Sequence, residues 1–253
     1  MLGSDNTVEV HFHALCGVDD GPVTLADSVE LVRRAAAQGT ETVVATPHVR
    51  TDFVTDVLGL GERVEELRAA LRAACVPIDL RRGAELGHDM VCRLSQRELE
   101  SIAQGPRGAR WLLVESPFEG IGEEFHAATG ELRDRGFGVL VAHPERSADA
   151  SLYESAGLRR ELAQGSLAQV NAQSITGAHG PEAQWAALAL INQGLVTVVS
   201  SDAHGATRPP LLREAAATLV EHGVDPVLCH TLTAGGPRRL LARGIPRVAA
   251  LAA

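Results

Sequence analysis

Residues 8–46 have the sequence VEVHFHALCGVDDGPVTLADSVELVRRAAAQGTETVVAT, and this stretch sets the fold class. The β-branched run Val8–Phe12 predicts a first strand, and Thr42–Thr46 predicts a second. Between them, a helix is predicted to begin after Thr24 as its N-cap and to stop at Gly39. Its apolar positions recur at helical spacing and are Leu25, Val29, Val32 and Ala36. The stretch is therefore a strand–helix–strand unit, which is typical of a parallel sheet.

The same alternation continues along the chain. Further strands are predicted at Ile78–Glu85, Trp111–Glu115, Gly138–Ala142, Leu167–Asn171 and Val196–Ser200. Further helices are predicted to carry Val64, Leu67 and Leu71, and to span about Ser95–Ala103, Glu123–Arg135, Ser151–Ala163, Pro181–Gln193, Leu211–His222 and Val227–Leu232. Seven such units without a long linker predict a single α/β domain over residues 1–253, built as a closed or nearly closed (β/α) barrel. A doubly wound open sheet is the alternative.

The composition of the chain excludes several chemistries. All 23 basic residues of the 253 are arginine, so no lysine is present to bind phosphate in a P-loop, form a Schiff base or carry a bridging carbamate. The 32 acidic residues give a net charge of −9, and only eight residues are aromatic. This balance lacks the basic surface and stacking platforms of a nucleic-acid-binding protein.

Cysteine usage and hydropathy give an expectation for the compartment. The four cysteines contain no Cys-x-x-Cys pair, and no secretory signal pattern follows Met1. No apolar run approaches the roughly 20 residues of a membrane span. We therefore expect a cytoplasmic protein without a membrane anchor.

Residues able to bind metal lie at the carboxyl ends of six of the seven predicted strands. In a parallel barrel these ends meet at one mouth, where active sites of this architecture lie. His11 and His13 are two residues apart on a strand, so their side chains face the same way. The full set is His11, His13, Asp19, Asp20, His48, Glu85, Glu115, His143, Asp202 and His204.

Each of these signals has an ordinary alternative, such as a polar rim, a turn or a helix cap for Asp202. Their conjunction at one end of the strands predicts a polynuclear metal site. Imidazole and carboxylate ligands without thiolates suit manganese, iron or zinc in a hydrolytic site. Three divalent ions against four carboxylates leave a charge of about +2, which complements a phosphate-ester dianion. The other histidines, His88, His126, His179, His222 and His230, show no partner pattern and are interpreted as packed or solvated.

The motif set resembles the PHP (polymerase and histidinol phosphatase) superfamily. The resemblance rests on His-x-His in the first strand, Thr46-Pro47-His48, Gly83-Ala84-Glu85, Val114-Glu115, Ala142-His143-Pro144-Glu145-Arg146 and Ser201-Asp202-Ala203-His204. Residues 17–22 and 143–146 are similar to those of the manganese-dependent protein-tyrosine phosphatases of bacterial capsule and exopolysaccharide synthesis. The likeness runs in order from about Val8 to Leu241.

The resemblance implies a distorted (β/α)7 TIM-like barrel with about three divalent metals, most simply manganese, with iron or zinc as alternatives. The first metal is expected to take His11, His13, Glu85 and Asp202. The second is expected to take Glu85, Glu115 and His143, and the third Asp20, His48 and His204. Glu85 and His143 are thereby expected catalytic residues, together with Arg146, which would hold the phosphate as a bidentate guanidinium. Arg208 and Arg50 are further candidates for phosphate binding, with solvated loop arginines as the alternative.

The expected reaction is hydrolysis of a phosphomonoester, with phosphotyrosine on the tail of a partner bacterial tyrosine kinase as substrate. A small-molecule phosphatase, such as histidinol-phosphate phosphatase, and a non-catalytic metal-binding subunit are the alternatives. Glu9 replaces an aspartate that the superfamily often has, and it is expected to accept a hydrogen bond behind the metal ligands. The segment Cys75–Arg81 formally matches Cys-x5-Arg, but Pro77 and the absence of glycine make it unsuited to cradle phosphate. The sequence leaves the oligomeric state open.

Overall fold

A computed structural model describes residues 6–54, 56–148 and 155–246 of the chain. Within these ranges the strands alternate with helices in the predicted order. The strands are β1 Thr7–Phe12, β2 Thr40–Ala45, β3 His48–Val49, β4 Asp79–Arg82, β5 Glu85–Leu86, β6 Trp111–Glu115, β7 Gly138–Ala142, β8 Leu167–Asn171 and β9 Val198–Ser200.

The helices occupy the predicted positions, with two additions. They are α1 Leu25–Ala37, α2 Leu60–Ala73, α3 Gln96–Ile102, α4 Glu123–Asp134, α5 Ala156–Ala163, α6 Ala172–Ile175, α7 Pro181–Asn192, α8 Leu212–Glu221, α9 Pro226–His230 and α10 Gly236–Arg243. The predicted cap Thr24 forms a capping box with Asp27. The sequence did not predict α6 and α10. The predicted helix from about Ser151 has its first residues, 151–154, outside the described ranges, and α5 accounts for its final eight.

The strands form two parallel sheets. One has the order β1-β2-β4, and the other has the order β3-β5-β6-β7-β8-β9. The predicted α/β class with parallel strands is thus confirmed, whereas the described residues do not form the predicted closed barrel. The strand pairing is interrupted at the same level of two neighbouring strands, where single backbone hydrogen bonds run from Gly83 to Ala45 and from Glu85 to Pro47. Pro47 has no amide hydrogen to donate and separates β2 from β3, and Gly83-Ala84 splits the predicted third strand into β4 and β5.

This break determines where two of the candidate ligands lie. Beyond it, β3 pairs with β5 so that His48 is directly opposite Glu85, which in turn is opposite Leu113 of β6. On the other side, an isolated parallel bridge between Phe12 and Ala203 connects the end of β1 to the segment after β9. Because the strands are parallel, their carboxyl ends all open toward one edge.

Most strands are buried on both faces, as expected where helices cover a parallel sheet, and β4 is the most exposed of them. All six residues of β1 and all five of β6 are buried. One large apolar cluster includes residues of both sheets, among them Phe12, Val43 and Val141, together with the inner faces of the helices. Within the described residues, none of the helices combines the length and apolar character that crossing a bilayer requires.

Gly83→Ala tests whether the break between β4 and β5 needs a residue without a side chain. A Cβ at this position would lie 2.6 Å from Cγ1 of Val44, a stiff β-branched neighbour. We expect Gly83→Ala to lower the free energy of unfolding by about 1–3 kcal/mol. Gly130, inside α4, has open space around its Cα, so Gly130→Ala should raise it by about 0.5–1 kcal/mol. Urea denaturation of the two variants measures both changes, and equal effects would argue against a steric role of Gly83.

Candidate metal centre

The structure brings the nine predicted ligand residues together at the carboxyl ends of the strands. His11 lies in β1, His48 begins β3, and Glu85 begins β5. Glu115 ends β6, and His143 directly follows β7. Eight of the nine are buried, and Asp20 has a side chain that is 48% exposed. The remaining members of the set lie in the segments after β1 and β9 and are His13, Asp20, Asp202 and His204.

Glu85 is the point at which the cluster converges. Its Oε2 lies 3.2 Å from Nε2 of His11, 3.4 Å from Nε2 of His13 and 2.9 Å from Nδ1 of His48. Its Oε1 lies 2.8 Å from Nε2 of His143. Burial raises the pKa of Glu85, but the positive potential of His11 and His48 outweighs it, so the pKa is held well below its usual range. The carboxylate is therefore charged and shared by four imidazoles.

Asp202 presents one oxygen to the cluster and the other away from it. Its Oδ1 lies 3.2 Å from Nε2 of His11 and 3.3 Å from Nε2 of His13. Its Oδ2 accepts hydrogen bonds from Asn171 Nδ2 at 2.7 Å and from Arg208 Nη2 at 2.6 Å. Such a two-sided carboxylate can bind a cation inside the cluster while a guanidinium holds it from outside.

Two residues of the cluster adopt left-handed backbone conformations. His143 has φ 35° and Asp202 has φ 53°. Residues other than glycine rarely adopt this conformation, at a cost of about 1–3 kcal/mol each. The fold holds both side chains in place against that cost, which marks this edge of the sheet as a functional site.

The ligand atoms fall into three groups, each within 4.8 Å. The first is the predicted set His11, His13, Glu85 and Asp202. The second joins Glu85 and Glu115 with His48, whereas the prediction joined them with His143. The third contains the predicted Asp20, His48 and His204 together with His13.

The donor atoms themselves fit a metal centre. Several buried polar atoms that face the cluster make no hydrogen bond to any described residue, although charged groups lie within 4 Å. These atoms are Oε2 of Glu85, Oδ1 of Asp202, Nδ1 of His48 and Nε2 of His204. Buried polar atoms are rarely left without partners, so a cation shared among them explains the arrangement. The residues present therefore suit divalent ions.

Three histidines are oriented from outside so that Nε2 faces inward. His11 Nδ1 donates to Gln169 Oε1 at 2.9 Å, and His13 Nδ1 donates to Asp19 Oδ2 at 2.7 Å. His204 Nδ1 donates to the backbone carbonyl of Asp202 at 2.9 Å. With Nδ1–H used in this way, Nε2 is the atom of each ring that can bind a metal once it is deprotonated, which is the arrangement of metal-binding histidines.

Gln169 and Asn171 are functional residues that the sequence analysis missed. Gln169 Nε2 donates to Asn171 Oδ1 at 2.8 Å, and Asn171 in turn donates to Asp202. The two amides of β8 thus connect His11 to Asp202 through a chain of hydrogen bonds. The available signal was their spacing of two residues at the end of the one predicted strand without a candidate ligand. Asp19 was noted at its position but given no role, and the structure places it behind His13 and against the backbone N–H of His48.

Glu9 accepts a hydrogen bond behind the metal ligands, as expected. Its Oε2 accepts from the backbone N–H of Ser201 at 2.8 Å. Burial raises the pKa of Glu9 to about 7. Glu9 therefore fixes the backbone that precedes Asp202.

The sequence of the chain matches a known protein family. The family described as "Capsular polysaccharide synthesis, CpsB/CapC" matches residues 7–242. The chain belongs to the CpsB/CapC family. The predicted resemblance to phosphatases of bacterial capsule synthesis is thereby confirmed.

Similar CpsB/CapC proteins are named as tyrosine phosphatases. The chain is 28% identical to tyrosine-protein phosphatase YwqE of Bacillus subtilis, over 78% of this chain and 77% of the relative. It is 25% identical to tyrosine-protein phosphatase CpsB of Streptococcus pneumoniae, over 82% and 87%. A solved structure from work on these two proteins, described as unique metal-dependent tyrosine phosphatases, matches with a TM-score of 0.78 at 26% identity and covers 92% of this chain and 93% of that one. A β-aspartyl dipeptidase from Fervidobacterium islandicum, with a TM-score of 0.56 at 12% identity, shares the fold alone.

The three predicted phosphate-binding arginines surround the cluster, but their partners differ. Arg50 Nη1 contacts both carboxylate oxygens of Glu115 at 3.1–3.2 Å, and its other nitrogens bind Asp52. Arg208 donates to Asp202, as described above. Arg146 has a looser contact with Asp202, 3.5 Å from Nη1 to Oδ2, and its guanidinium lies 4.9 Å from the ring centroid of Phe118. Of the three arginines, Arg146 therefore has the weakest contact with a carboxylate of the cluster.

Other sequence candidates have structural roles. Arg81 lies in β4 and binds Asp79 at 2.8 Å, so Cys75–Arg81 forms no phosphate loop. His126 is packed as expected and contacts the buried Glu161 at 2.6 Å. His179 is partly buried, and it lines the same cleft as Arg146.

Asp19→Asn tests the support of His13. An amide cannot provide the charge that holds Nδ1–H, so we expect the affinity for Mn²⁺ to fall by about 10–100-fold. Asp225→Asn, which alters the remote cap of α9, should leave it unchanged. Calorimetric Mn²⁺ titration of both variants measures this, and unchanged affinity in Asp19→Asn would remove Asp19 from the site.

Metal binding should release protons from the histidines. Burial lowers the pKa of His11, but Glu85 and Asp202 raise it above the usual value, and acidic neighbours likewise raise that of His13. Since a metal binds neutral imidazole, these protons must leave, and affinity should rise with pH until both histidines are neutral. Titrations near pH 7 in two buffers with different ionisation enthalpies count the protons. No net release would contradict the assignment of these ligands.

Proposed function

We propose that this chain is a metal-dependent phosphomonoesterase that hydrolyses phosphotyrosine on a protein. The observation that carries the proposal is the junction at Glu85. This fully buried carboxylate meets four imidazole nitrogens within 3.4 Å, next to three arginines, in a member of the CpsB/CapC family. The named activity of the relatives YwqE and CpsB supports the same reaction.

The proposed centre holds about three divalent ions, with manganese as the favoured metal. The first ion would be held by His11, His13, Glu85 and Asp202, and the third by Asp20, His48 and His204. For the second, Glu85 and Glu115 are joined by His143, as the resemblance implies, or by His48, whose Nδ1 lies 2.9 Å from Glu85 Oε2 and 4.0 Å from Glu115 Oε2. When bound, such ions lower the pKa of water and neutralise negative charge on a phosphoryl group.

The chain's own residues then bind and orient the ester. Arg146 binds the phosphate because its guanidinium is only loosely held by Asp202 and can donate two parallel N–H groups to phosphoryl oxygens. Arg208 is anchored on Asp202 and provides positive charge beside Arg146. Arg50 is held by Glu115 and Asp52, so its first role is to fix Glu115, with phosphate contact as a second role. Gln169 and Asp19 keep the imidazoles from turning during the reaction.

The partner and setting are part of this proposal. A phosphotyrosine tail of a bacterial tyrosine kinase in capsule synthesis is the proposed substrate, which the capsule family supports. All four cysteines are unpaired, which is in keeping with a reducing cytoplasm. We also propose that residues 1–253 act as one domain in which the two sheets follow a distorted (β/α)7 barrel. The bridge between Phe12 and Ala203 supports this curvature.

Two substitutions separate metal binding from phosphate binding. His143→Ala removes a partner of Glu85, so we expect loss of bound metal and a fall in kcat/KM of at least about 100-fold. Arg146→Ala should reduce kcat/KM to a similar extent, since a charge-assisted bidentate contact is lost, but metal content should stay at the wild-type level. Elemental analysis and hydrolysis of a phosphotyrosine peptide with Mn²⁺ measure the two effects.

The same assay separates the proposed function from its alternatives. Arg146→Lys keeps the positive charge but lacks the two parallel N–H donors of a guanidinium. We therefore expect it to retain more kcat/KM than Arg146→Ala but less than the wild type. Preference for histidinol phosphate over the phosphotyrosine peptide would replace the tyrosine phosphatase by a small-molecule phosphatase. Purified protein that binds no metal and hydrolyses no phosphate ester would overturn the enzymatic proposal.

A further inference from the structure

A cleft of about 610 Å³ lies beside the metal cluster, and Arg146 lines it. Its other lining residues include the aromatic ring of Phe118, the imidazole of His179, and Ser147 and Ala183. Arg146 contributes to the cleft and also contacts Asp202, which faces the cluster. If a phosphate binds Arg146, the group that it esterifies can therefore extend into this cleft, which two aromatic rings line.

Phe118 is held in an exposed position by its backbone. The amide N–H of Ala148 donates to the carbonyl of Phe118 at 2.8 Å, and Ser147 Oγ donates to the carbonyl of Pro117 at 2.6 Å. These bonds tie the loop after β6 to the segment that carries Arg146. Phe118 as a whole remains 46% exposed. Its ring lies parallel to the imidazole of His143, with 7° between the planes and 6.3 Å between the centroids.

His179 contributes an uncharged ring whose orientation is fixed. Ser174 Oγ donates to Glu145 Oε1 at 2.7 Å, so its oxygen accepts the hydrogen bond from His179 Nδ1 at 3.0 Å. Burial, reinforced by the charge of Arg146, lowers the pKa of His179 to about 4. The ring is thus neutral at ordinary pH, although it belongs to the same cleft as a guanidinium.

The burial of most of the cluster favours a long, flat group in this cleft. Glu85 and His11 are fully buried, and His143 is 1% exposed. A phosphoester that reaches them must span the distance from the protein surface. The ring of phosphotyrosine separates phosphate from main chain, whereas phosphoserine would have to bring its backbone into the cleft.

We propose that the cleft between the segments of Phe118 and His179 is the aryl-binding subsite, and that these two rings select phosphotyrosine over alkyl phosphoesters. This inference rests on the proposed function and adds the residues that determine its specificity. Phe118 offers an apolar face for offset stacking, and His179 offers a second aromatic edge. Arg146 lies between this subsite and the cluster, where the phosphate of such a substrate would come to rest.

Binding of two phosphonates tests the subsite without turnover. Phenylphosphonate and methylphosphonate share the phosphonate group and differ in the ring, and calorimetry gives their affinities for the Mn²⁺-loaded protein. The wild type should prefer phenylphosphonate. Phe118→Ala should weaken phenylphosphonate about tenfold and leave methylphosphonate within about twofold, while His179→Ala should show a smaller loss in the same direction.

Phe53 provides the matched comparison. It is also exposed, at 37%, also stacks on a cluster histidine, His48, and also lies next to an arginine, Arg50, but it does not line this cleft. Phe53→Ala should change both affinities by the same factor. The inference is overturned if the wild type shows no preference for the ring, if Phe118→Ala keeps that preference, or if Phe53→Ala is the variant that loses it. Because binding is measured apart from hydrolysis, these outcomes differ from failure of the phosphatase assay.

Discussion

The rest of the structure depends on the burial of several charged groups around the carboxylate of Glu85. Removing an ion from water is costly unless opposite charges and hydrogen bonds compensate for it. Here the compensation comes from histidines on different strands, which must all arrive at one point. The paired breaks at Pro47 and Gly83, the left-handed backbone at His143 and Asp202, and the buried Glu9 behind Ser201 all place donors within reach of that point. The geometry of the two sheets thus brings these ligands together around Glu85.

Around this cluster, a layer of neutral and acidic side chains fixes the orientation of the ligands. Gln169 and Asn171 link His11 to Asp202, and Asp19 holds His13. Each contact uses the outer nitrogen or oxygen of a ligand and leaves the inner one free. Arg208 and Arg50 lie further out and orient two more ligands, because each donates hydrogen bonds to a carboxylate of the cluster. The site is therefore organised before any substrate enters it.

Sequence patterns predicted the elements that depend on local properties. β6 and β7 lie at their predicted residues because buried parallel strands have continuous apolar runs, and Thr24 caps α1 as its side chain suggests. The nine candidate ligands were located because charged groups at strand ends are recognisable one by one. The split of the third strand was missed, although Gly83 lies at the split, where a side chain would meet Val44 of the neighbouring strand. The contact of Gln169 with His11 was not predicted, since the two residues lie 158 positions apart in the sequence.

The two-sided carboxylate of Asp202 has a consequence for how the site fills. Its inner oxygen faces the proposed cation, and its outer oxygen faces Arg208 and Arg146. The cation and the two arginines therefore compete for the negative charge of one carboxylate. A dianion that draws Arg146 away from Asp202 leaves more negative charge for the cation. Thermodynamic linkage then requires that bound cation increase the affinity for the dianion by the same factor. The cation and the phosphoester are thus expected to bind cooperatively, and Asp202 is the residue that couples the two binding events.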